Sequence, residues 1–223
     1  KKQVLESRTL STRLLAETIA KKPQIVFVCA SAVGYYGMFA DNATEFVEGD
    51  LPGSGGFLTE VCLAWEAACE PAVTAGNRVT NVRVGLVLAG HGGALPQLAK
   101  PFRWYVGGVV ASGKQWMSWI HLDDMVGLFL FALDRPEVSG PLNGTAPEPQ
   151  TNWGFSHTLA KVLGKPCRFP VPSLALRLLL GREKSAIATH GQRVIPRKAQ
   201  ALGYEFQHPH LEPALRAIFQ TTN

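Results

Sequence analysis

The chain has 223 residues, a length that fits one large domain or two small ones and allows a core without disulfides or a metal. Hydrophobic residues make up 46% and charged residues 17%, which excludes a disordered or collagen-like chain. The net charge is +5, but no run of Lys and Arg is interleaved with aromatic residues, so we expect no nucleic-acid partner. The longest apolar run, residues 125–133, is far shorter than the roughly 20 residues of a membrane span, so we expect no membrane partner either.

The first part of the chain alternates between helical and strand patterns. A helix is predicted before residues 21–23, because apolar residues recur there at helical spacing: Leu10, Leu14, Leu15 and Ile19. Residues 25–30 form an apolar run of strand length, residues 57–75 an amphipathic helix, and residues 78–88 a strand rich in β-branched residues. We therefore expect an α/β fold in which the two strands are parallel neighbours joined by the helix as a crossover.

The second part of the chain has shorter elements. Residues 125–133 predict a helix that is apolar nearly all round and lies between two layers, and residues 141–146 predict a strand. Short helices are predicted after Pro147, each bounded by capping or terminating residues: Asn152 before 153–163 and Gly164 after, Ser173 before 174–180 and Gly181 after, and Gly203 after 197–202. We expect one part over residues 1–147, with 96–120 contributing to the other lobe, and a small, mainly helical lobe over residues 148–223.

The four cysteines do not indicate a metal site. Cys29, Cys62, Cys69 and Cys167 form no Cys-x-x-Cys pair, and no histidine lies at zinc-site spacing from them. Cys62 and Cys69 are seven residues apart in a helical pattern and are predicted to share a buried face. The first residues lack the pattern of a secretory signal. We therefore expect a cytoplasmic protein with reduced thiols and no metal.

The charges are unevenly distributed. Residues 71–122 contain no Asp or Glu but five basic residues: Arg78, Arg83, Lys100, Arg103 and Lys114. Positive regions raise the local concentration of anionic ligands, so a small anionic substrate is expected. A second basic group near the C-terminus is interpreted as solvated surface charge.

The glycines do not form a nucleotide-binding fingerprint. The chain contains no Gly-x-Gly-x-x-Gly, and its glycine groups at 53–56, 90–93 and 107–108 lie outside a strand-turn-helix context. The chain also begins within a helix, whereas an open α/β sheet normally begins with a strand. Two interpretations are open: the first half of a nucleotide-binding domain is missing, or the chain is a smaller α/β unit.

Five motifs in order resemble the extended short-chain dehydrogenase/reductases, in particular the atypical branch called NAD-dependent epimerase-like or cell-division-inhibitor-like. The motifs are SAVGYYG at 31–37, WEAA at 65–68, SWIHLDD at 118–124, PLNGTAP at 141–147 and GQRVIP at 191–196. The resemblance covers essentially the whole chain. It implies a partial Rossmann-like, doubly wound parallel sheet with a smaller, mainly helical C-terminal lobe, and a cofactor, NADP(H), bound between them. It also implies that the first strands and the glycine-rich loop precede Lys1, and their loss would expose a sheet edge that favours a homo-oligomer or instability.

The resemblance also assigns the reacting groups. Ser31, just after the first predicted strand, matches a residue that binds the reacting oxygen in related enzymes. The usual Tyr-x-x-x-Lys pair is absent, because Leu58 and Cys62 occupy the matching positions. Tyr35 or Tyr36 could replace the tyrosine as proton donor. The alternative is that one tyrosine lies in the core and the other packs against the loop.

The cofactor residues are assigned in the same way. Arg8 and, more weakly, Gln3 match positions near the cofactor on the first helix. Gly85, Leu86 and Val87 end the second predicted strand, where the family contacts the nicotinamide with backbone and apolar atoms. Arg83 is either functional or a buried strand charge that needs a partner.

The histidines are interpreted as structural. His121 with Asp123 and Asp124 could form a base or a metal site, but an Asp just before a helix more often caps it, and capping is predicted here. Trp119 is predicted to pack between the lobes. The remaining histidines (His157, His190, His208 and His210) lie in separate segments, so no shared metal site is expected.

The sequence therefore predicts an NADP(H)-linked oxidoreductase or epimerase with Ser31 and Tyr35 as its catalytic residues. The alternative, motivated by the missing Tyr-x-x-x-Lys pair, is a regulatory protein that binds the cofactor without turnover.

Overall fold

The computed structural model describes residues 1–22, 24–39, 43–173, 186 and 188–220. The helices of these residues are α1 (Lys2–Ile19), α2 (Phe57–Ala67), α3 (Glu70–Thr74), α4 (Leu95–Arg103), α5 (Leu122–Asp134), α6 (Asn152–Leu163), α7 (Arg197–Ala201) and α8 (Leu211–Gln220). The strands are β1 (Val26–Ala32), β2 (Glu45–Phe46), β3 (Arg78–Val84), β4 (Leu86–Leu88), β5 (Trp116–Met117), β6 (Trp119–His121), β7 (Gly140–Gly144), β8 (Gln150–Thr151) and β9 (Arg193–Val194). The helix predicted at 174–180 lies outside the described residues.

The central sheet consists of three parallel strands in the order β1-β3-β7. The predicted parallel pairing of the first two strands is confirmed, with Ser31 of β1 beside Arg83 of β3. Arg83 in turn lies beside Asn143 of β7. Three polar side chains therefore occupy one level of the sheet near the carboxyl ends of its strands.

The predicted second strand is divided at Gly85. The backbone N–H of Gly85 donates to Gly144 of β7 at 3.0 Å, whereas that of Leu86 donates to Ser118 at 2.8 Å, and β4 then pairs in parallel with β6. A Cβ atom on Gly85 would lie 2.3 Å from the carbonyl oxygen of Ser118, so only glycine allows this close approach. The prediction of one continuous strand over 78–88 was wrong here.

The predicted crossover helix is also divided. α2 ends at Ala67 and α3 begins at Glu70, because the ring of Pro71 would clash with the carbonyl of Ala67 in a continuous helix. The shared burial of Cys62 and Cys69 is confirmed, since they are 3% and 1% exposed.

The predicted first helix is confirmed as α1, and it packs through its small residues. Its buried residues are Thr12 and Ala16, whereas Leu10 and Leu14 are each 66% exposed. Ala16 belongs to a small core cluster with Cys29 and Cys69, where a side chain without branches lets the helix approach the sheet closely. The larger leucines remain on the outside.

α5 is covered by the sheet on one face and by the segment around Tyr204 on the adjacent one. Met125, Leu128 and Ala132 pack on the sheet, whereas an apolar stripe on the opposite side is exposed: Leu122, Val126, Leu130 and Leu133. The prediction of a helix between two layers was wrong for this stripe, which no described residue covers, because the sheet and the C-terminal segment occupy neighbouring faces of the helix.

A second core joins the helical lobe to the rest of the molecule. Ala99 of α4, Phe155 of α6 and Leu215 of α8 cluster around Leu88 and the fully buried Trp119. The predicted packing of Trp119 between the lobes is confirmed. The cluster crosses residue 147, and the division into 1–147 and 148–223 remains a prediction.

The boundaries of α6 follow ordinary capping chemistry. Thr151, not the predicted Asn152, accepts the N–H of Gly154 at 3.2 Å. Asn152 instead accepts the N–H of Val110 at 2.8 Å. Gly164 ends the helix in the left-handed conformation, as predicted. No helix within the described ranges is long and apolar enough to cross a bilayer.

Candidate active site

The candidate residues on the strands lie at one edge of the sheet. Ser31 is the penultimate residue of β1 and lies beside Arg83, two residues before Gly85 on the neighbouring strand. Leu86 and Val87 follow in β4 and are half-buried. Ligands of open α/β sheets bind outside the carboxyl ends of the strands, which is this edge.

The helical candidates approach the same edge. Lys1 lies 5.4 Å from the ring of Phe57, so α1 and α2 begin side by side. The start of α2 packs on the turn after β1, where Thr59 donates to the carbonyl of Gly34 at 3.0 Å. Arg8 lies 5.3 Å from the ring of Trp65, and Gln3 is exposed in the first turn of α1.

Ser31 is part of a buried ion-pair network. Its side chain is 2% exposed, and Oγ donates to Glu66 Oε1 at 2.7 Å. Glu66 binds Arg83 through two parallel contacts of 2.9 and 3.0 Å. Bidentate geometry of this kind is the strongest form of a carboxylate–guanidinium pair. Arg83 is therefore a buried strand charge with a partner, one of the two interpretations considered from the sequence.

The two tyrosines have different surroundings. Tyr36 is fully buried, accepts from Arg83 at 2.9 Å and donates to Asn143 Oδ1 at 2.8 Å. Burial raises the pKa of Tyr36 to about 12. Tyr35 is half-buried, and its ring lies 3.4 Å from the Arg83 guanidinium. One tyrosine is thus in the core, and the other packs in the turn against a cation.

Glu48 ties the network to the C-terminal lobe. Its side chain is 8% exposed, and its two carboxylate oxygens accept the backbone N–H groups of Asn143 at 3.1 Å and Lys198 at 3.2 Å. Its carbonyl oxygen also accepts from Arg83 at 3.3 Å. A single residue therefore joins β7 and α7 through its side chain and β3 through its backbone carbonyl.

The usual acid–base positions hold groups without that chemistry. Leu58 packs against Gly34, and the Cys62 thiol donates to the carbonyl of Ala32 at 3.5 Å. Burial raises the pKa of Cys62 to about 11, so it remains protonated at neutral pH. Proton transfer in this site must therefore use another group.

The residues before α5 do not cap it as predicted. His121, not an aspartate, is the capping residue, because its Nδ1 accepts the N–H of Asp123 at 3.1 Å. Asp124 is fully buried and accepts the N–H groups of Gln207 at 2.7 Å and His208 at 2.9 Å. Asp124 turns toward the C-terminal segment because its own carboxylate is buried and needs donors.

Sequence reasoning missed most of the network. Glu66, Tyr36, Glu48 and Asn143 were not predicted to act together, although Arg83 was recognised as a charge in an apolar strand. That charge was the available signal, since a buried guanidinium requires an acidic partner nearby.

The described residues provide apolar surface for a ring of a dinucleotide but no glycine-rich cradle for its pyrophosphate. α1 and α2 both begin at the strand edge, where their first N–H groups suit a phosphate-containing cofactor. Arg8 lies farther along α1, where its guanidinium faces the ring of Trp65 and donates to the carbonyl of Val4 at 3.3 Å. The half-buried Leu86 and Val87 offer apolar surface for a ring. A glycine-rich cradle for the pyrophosphate is absent from the 223 residues.

Known proteins resemble this chain over nearly its whole length. A family model described as a domain of unknown function, DUF1731, matches residues 171–218. The chloroplastic epimerase family protein SDR39U1 homolog of Arabidopsis thaliana is 39% identical, over 99% of this chain and 63% of that protein. The epimerase family protein SAR0825 of Staphylococcus aureus is 38% identical, over 98% of this chain and 72% of that protein.

A solved structure agrees with this result. The crystal structure of human epimerase family protein SDR39U1 (isoform 2) with NADPH has a TM-score of 0.91 and 37% identity, over 98% of this chain and 74% of the human one. The expected Rossmann-like fold with a helical C-terminal part is confirmed by this match. The chain spans less than two thirds of the plant relative and about three quarters of the human one. It belongs to the epimerase family, within the short-chain dehydrogenase/reductases that its motifs resemble.

Proposed function

We propose that this protein is an NADP(H)-linked oxidoreductase or epimerase that acts on a small anionic molecule. The observation that supports this most strongly is the human relative determined with NADPH, at a TM-score of 0.91. The position of Ser31, Tyr35 and the segment 85–87 at one edge of the sheet agrees with it.

The cofactor residues follow from their places at this edge. The chemistry that NADP(H) supplies when bound is hydride transfer. Arg8 provides a cation for a phosphate, and Gln3 provides an amide beside it in the first turns of α1. Gly85, Leu86 and Val87 contribute backbone and apolar atoms where a ring needs a water-free surface.

Ser31 and Tyr35 have different roles at the substrate oxygen: Ser31 forms a hydrogen bond to it, and Tyr35 transfers a proton. The Ser31 hydroxyl already donates to Glu66, so it has lone pairs but no free hydrogen for a substrate. It can accept from a substrate hydroxyl without breaking that bond, whereas it must turn away from Glu66 to donate to a carbonyl. We assign proton transfer to the Tyr35 hydroxyl, and we assign to Arg83 the task of holding its ring.

A cavity of about 470 Å³ beside the network supports an anionic substrate. It is lined by Trp116, Arg193, Ile195 and Arg197, and among the described residues Arg193 Nε is a buried donor without an acceptor. Ile195 also accepts the side-chain amide of Asn143 at 2.9 Å, which connects the cavity wall to the network.

Two basic residues predicted near the substrate have structural roles instead. Arg78 donates to three carbonyl oxygens around the end of α5, and Arg83 is paired with Glu66.

The cavity arginines are themselves close to a carboxylate. Arg193 and Arg197 contact Glu45 at 2.9 and 4.0 Å. Both Glu45 and Glu148 line the same cavity. The contact to an anion is therefore assigned to Arg193 Nε, which has no acceptor among the described residues.

A second candidate function is cofactor-dependent regulation without turnover. It is favoured by the Ser31 hydroxyl, which is committed to Glu66, and by Leu58 and Cys62 at the usual acid–base positions. Such a protein would respond to cofactor binding alone.

The two functions are distinguished by separate titration and turnover measurements. NADPH is titrated by fluorescence against the wild type, Arg8→Ala and the control Arg13→Ala, which alters an exposed cation on the same helix. Loss of a phosphate contact should weaken binding about 10–100-fold in Arg8→Ala only. Because the 223 residues hold no glycine-rich cradle for the pyrophosphate, we expect weak binding by this chain, with a Kd of about 1 mM. No saturable NADPH binding by the wild type even at such concentrations would refute both functions.

Turnover is then tested on a panel of carbonyl compounds and sugar nucleotides. Activity that Tyr35→Phe abolishes while NADPH affinity is kept supports the enzyme. Cofactor binding without any turnover on the panel supports the regulatory function.

We also propose a cytoplasmic location and self-association. Free thiols at all four cysteines agree with a reducing compartment, although the plant relative is named as chloroplastic. The exposed leucines of α1 and the apolar stripe of α5 provide surface for contact between copies. Light scattering coupled to size exclusion measures the oligomeric state, and a strictly monomeric, monodisperse protein would contradict self-association.

A further inference from the structure

Three potential metal ligands meet at the end of β6, next to Leu88, which directly follows the proposed cofactor segment 85–87. His121 Nδ1 lies 3.5 Å from Asp123 Oδ2, and His208 Nε2 lies 3.8 Å from the same oxygen. One ligand atom from each residue can be chosen so that all three lie within 4.8 Å of one another. A tetrahedral ion about 2.0–2.2 Å from each atom requires separations of about 3.3–3.6 Å, which is close to the two distances to Asp123. The rings of His121 and His208, whose centroids lie 3.8 Å apart, would rotate to direct one nitrogen each at the ion.

The fold fixes each of the three residues independently. His121 ends β6 and is 7% exposed, and Asp123 lies in the first turn of α5. His208 is distant in sequence, but its backbone N–H and that of Gln207 bind the buried carboxylate of Asp124. Asp124 therefore holds the C-terminal segment in the position that brings His208 to the other two.

The cluster opens into a cavity of about 300 Å³ that contains another histidine. His91 lines this cavity from the loop after β4, and its side chain is exposed. Gly92 and Gly93 follow it with positive φ, and a Cβ on either would meet nothing within 4 Å. The loop thus has the space and the backbone freedom to bring His91 toward the cluster.

We propose that His121, Asp123 and His208 bind a divalent transition-metal ion, for which Zn²⁺ is the best match, with His91 or water as the fourth ligand. Two imidazole nitrogens and one carboxylate suit Zn²⁺ and its first-row neighbours, whereas Mg²⁺ and Ca²⁺ require oxygen ligands. The His121 lone pair that now accepts the N–H of Asp123 would turn to the ion. That N–H lies in the first turn of an exposed helix end, where water can replace the lost acceptor.

The ion would join three segments of the chain. It would link the segment containing His208 to the start of α5. A bond from His91 would link the loop after β4 to the same ion. The cluster lies next to the proposed cofactor segment, because His121 pairs with Leu88 in the register of β4 and β6. The two proposals use different residues, so metal binding and NADPH binding are measured separately and either can fail without the other.

The test uses the untagged chain after dialysis against a chelator. Zn²⁺ is titrated by calorimetry, and Co²⁺ is titrated by visible absorption, because a tetrahedral Co²⁺ site with nitrogen ligands has characteristic d–d bands. We expect one saturable site per chain and a higher Tm with Zn²⁺, because an ion that binds only the folded state stabilises it.

Variants assign the site to these residues. Asp123→Asn changes an exposed side chain, so the protein should remain folded. The double variant Asp123→Asn with His208→Ala should weaken Zn²⁺ binding by about 100-fold or more, because loss of a group that only hydrogen-bonds to a metal ligand already costs about 10–100-fold. The matched control His210→Ala alters an exposed histidine two residues from His208 and should leave binding unchanged. The proposal is overturned if the wild type shows no saturable site, or if His210→Ala weakens binding as much as Asp123→Asn does.

Discussion

Replacing Glu66 by Gln removes the negative charge opposite Arg83 while keeping the size of the side chain. Arg83 is 3% exposed and makes both of its strongest contacts to this carboxylate. The substitution therefore leaves a guanidinium inside the sheet without a counter-charge, and it also removes the carboxylate acceptor of the Ser31 hydroxyl.

The expected loss is large because the remaining charge cannot reach water. Removing one partner of a buried ion pair costs about 3–5 kcal/mol of unfolding free energy. For a chain of about this length, each kcal/mol lowers Tm by roughly 2–4 °C, so Glu66→Gln should lower Tm by about 6–20 °C. Replacing both partners with apolar residues, as in Glu66→Leu with Arg83→Met, should restore most of the loss, since no unpaired charge remains.

Thermal unfolding followed by circular dichroism measures these values, with urea unfolding followed by tryptophan fluorescence as a second measurement. Glu17→Gln is the control, because it breaks an exposed pair with Arg13 on α1 and should cost only about 0.3–0.5 kcal/mol. The reasoning is refuted if Glu66→Gln costs no more than this control. It is also refuted if the double substitution costs the sum of the two single ones.

Three further outcomes are expected. Gly85→Ala should destabilise the protein by about 1–3 kcal/mol or more in urea unfolding, because its Cβ would collide with the Ser118 carbonyl; a neutral result would contradict the close approach. Thr151→Ala should cost about 0.5–2 kcal/mol through loss of the α6 cap, whereas a cost confined to Asn152→Ala would show that the cap is misassigned. The pKa of Tyr36 is raised to about 12, above its usual value near 10, so the folded state favours the neutral phenol. The phenol therefore stabilises the folded state fully below pH 10, and this stabilisation, about 3 kcal/mol of unfolding free energy, is lost as the pH rises through 12. The unfolding free energy of Tyr36→Phe should fall less steeply with pH over this range than that of the wild type, and an unchanged pH profile would count against the assignment.

The sequence predicted those parts of the fold that depend on local patterns. Residues 25–30 are apolar on both faces, and a strand of that kind belongs inside a parallel sheet. The division at Gly85 could not be predicted, because it depends on backbone groups of Ser118 and Gly144 far along the chain. The packing face of α1 could not be predicted, because the leucines give the stronger periodic signal, although the small side chain of Ala16 decides how closely the helix approaches the sheet.

The candidate site was predictable to a similar extent. The position of Ser31 follows from the end of a buried strand, and the need of Arg83 for a partner follows from its charge. The identity of that partner depends on the rotation of α2, which brings Glu66 over the strand ends. The meeting of His121 with His208 depends on the path of the C-terminal segment, which is fixed only by its bonds to Asp124.

The divided strand at Gly85 also constrains the order in which the chain can fold during synthesis. β3 can pair with β1 as soon as both have been made, because β1 precedes it. β4 must wait for β6, and the other side of β3 must wait for β7, which is completed only at Gly144. During translation one side of β3 therefore remains unpaired for about 60 residues, and β4 for about 33 residues until β6 is made. At roughly 5–20 residues per second these intervals last several seconds. During this time the nascent chain is most exposed to wrong strand pairing. A chaperone that binds extended apolar segments would therefore bind the unpaired β3 and β4.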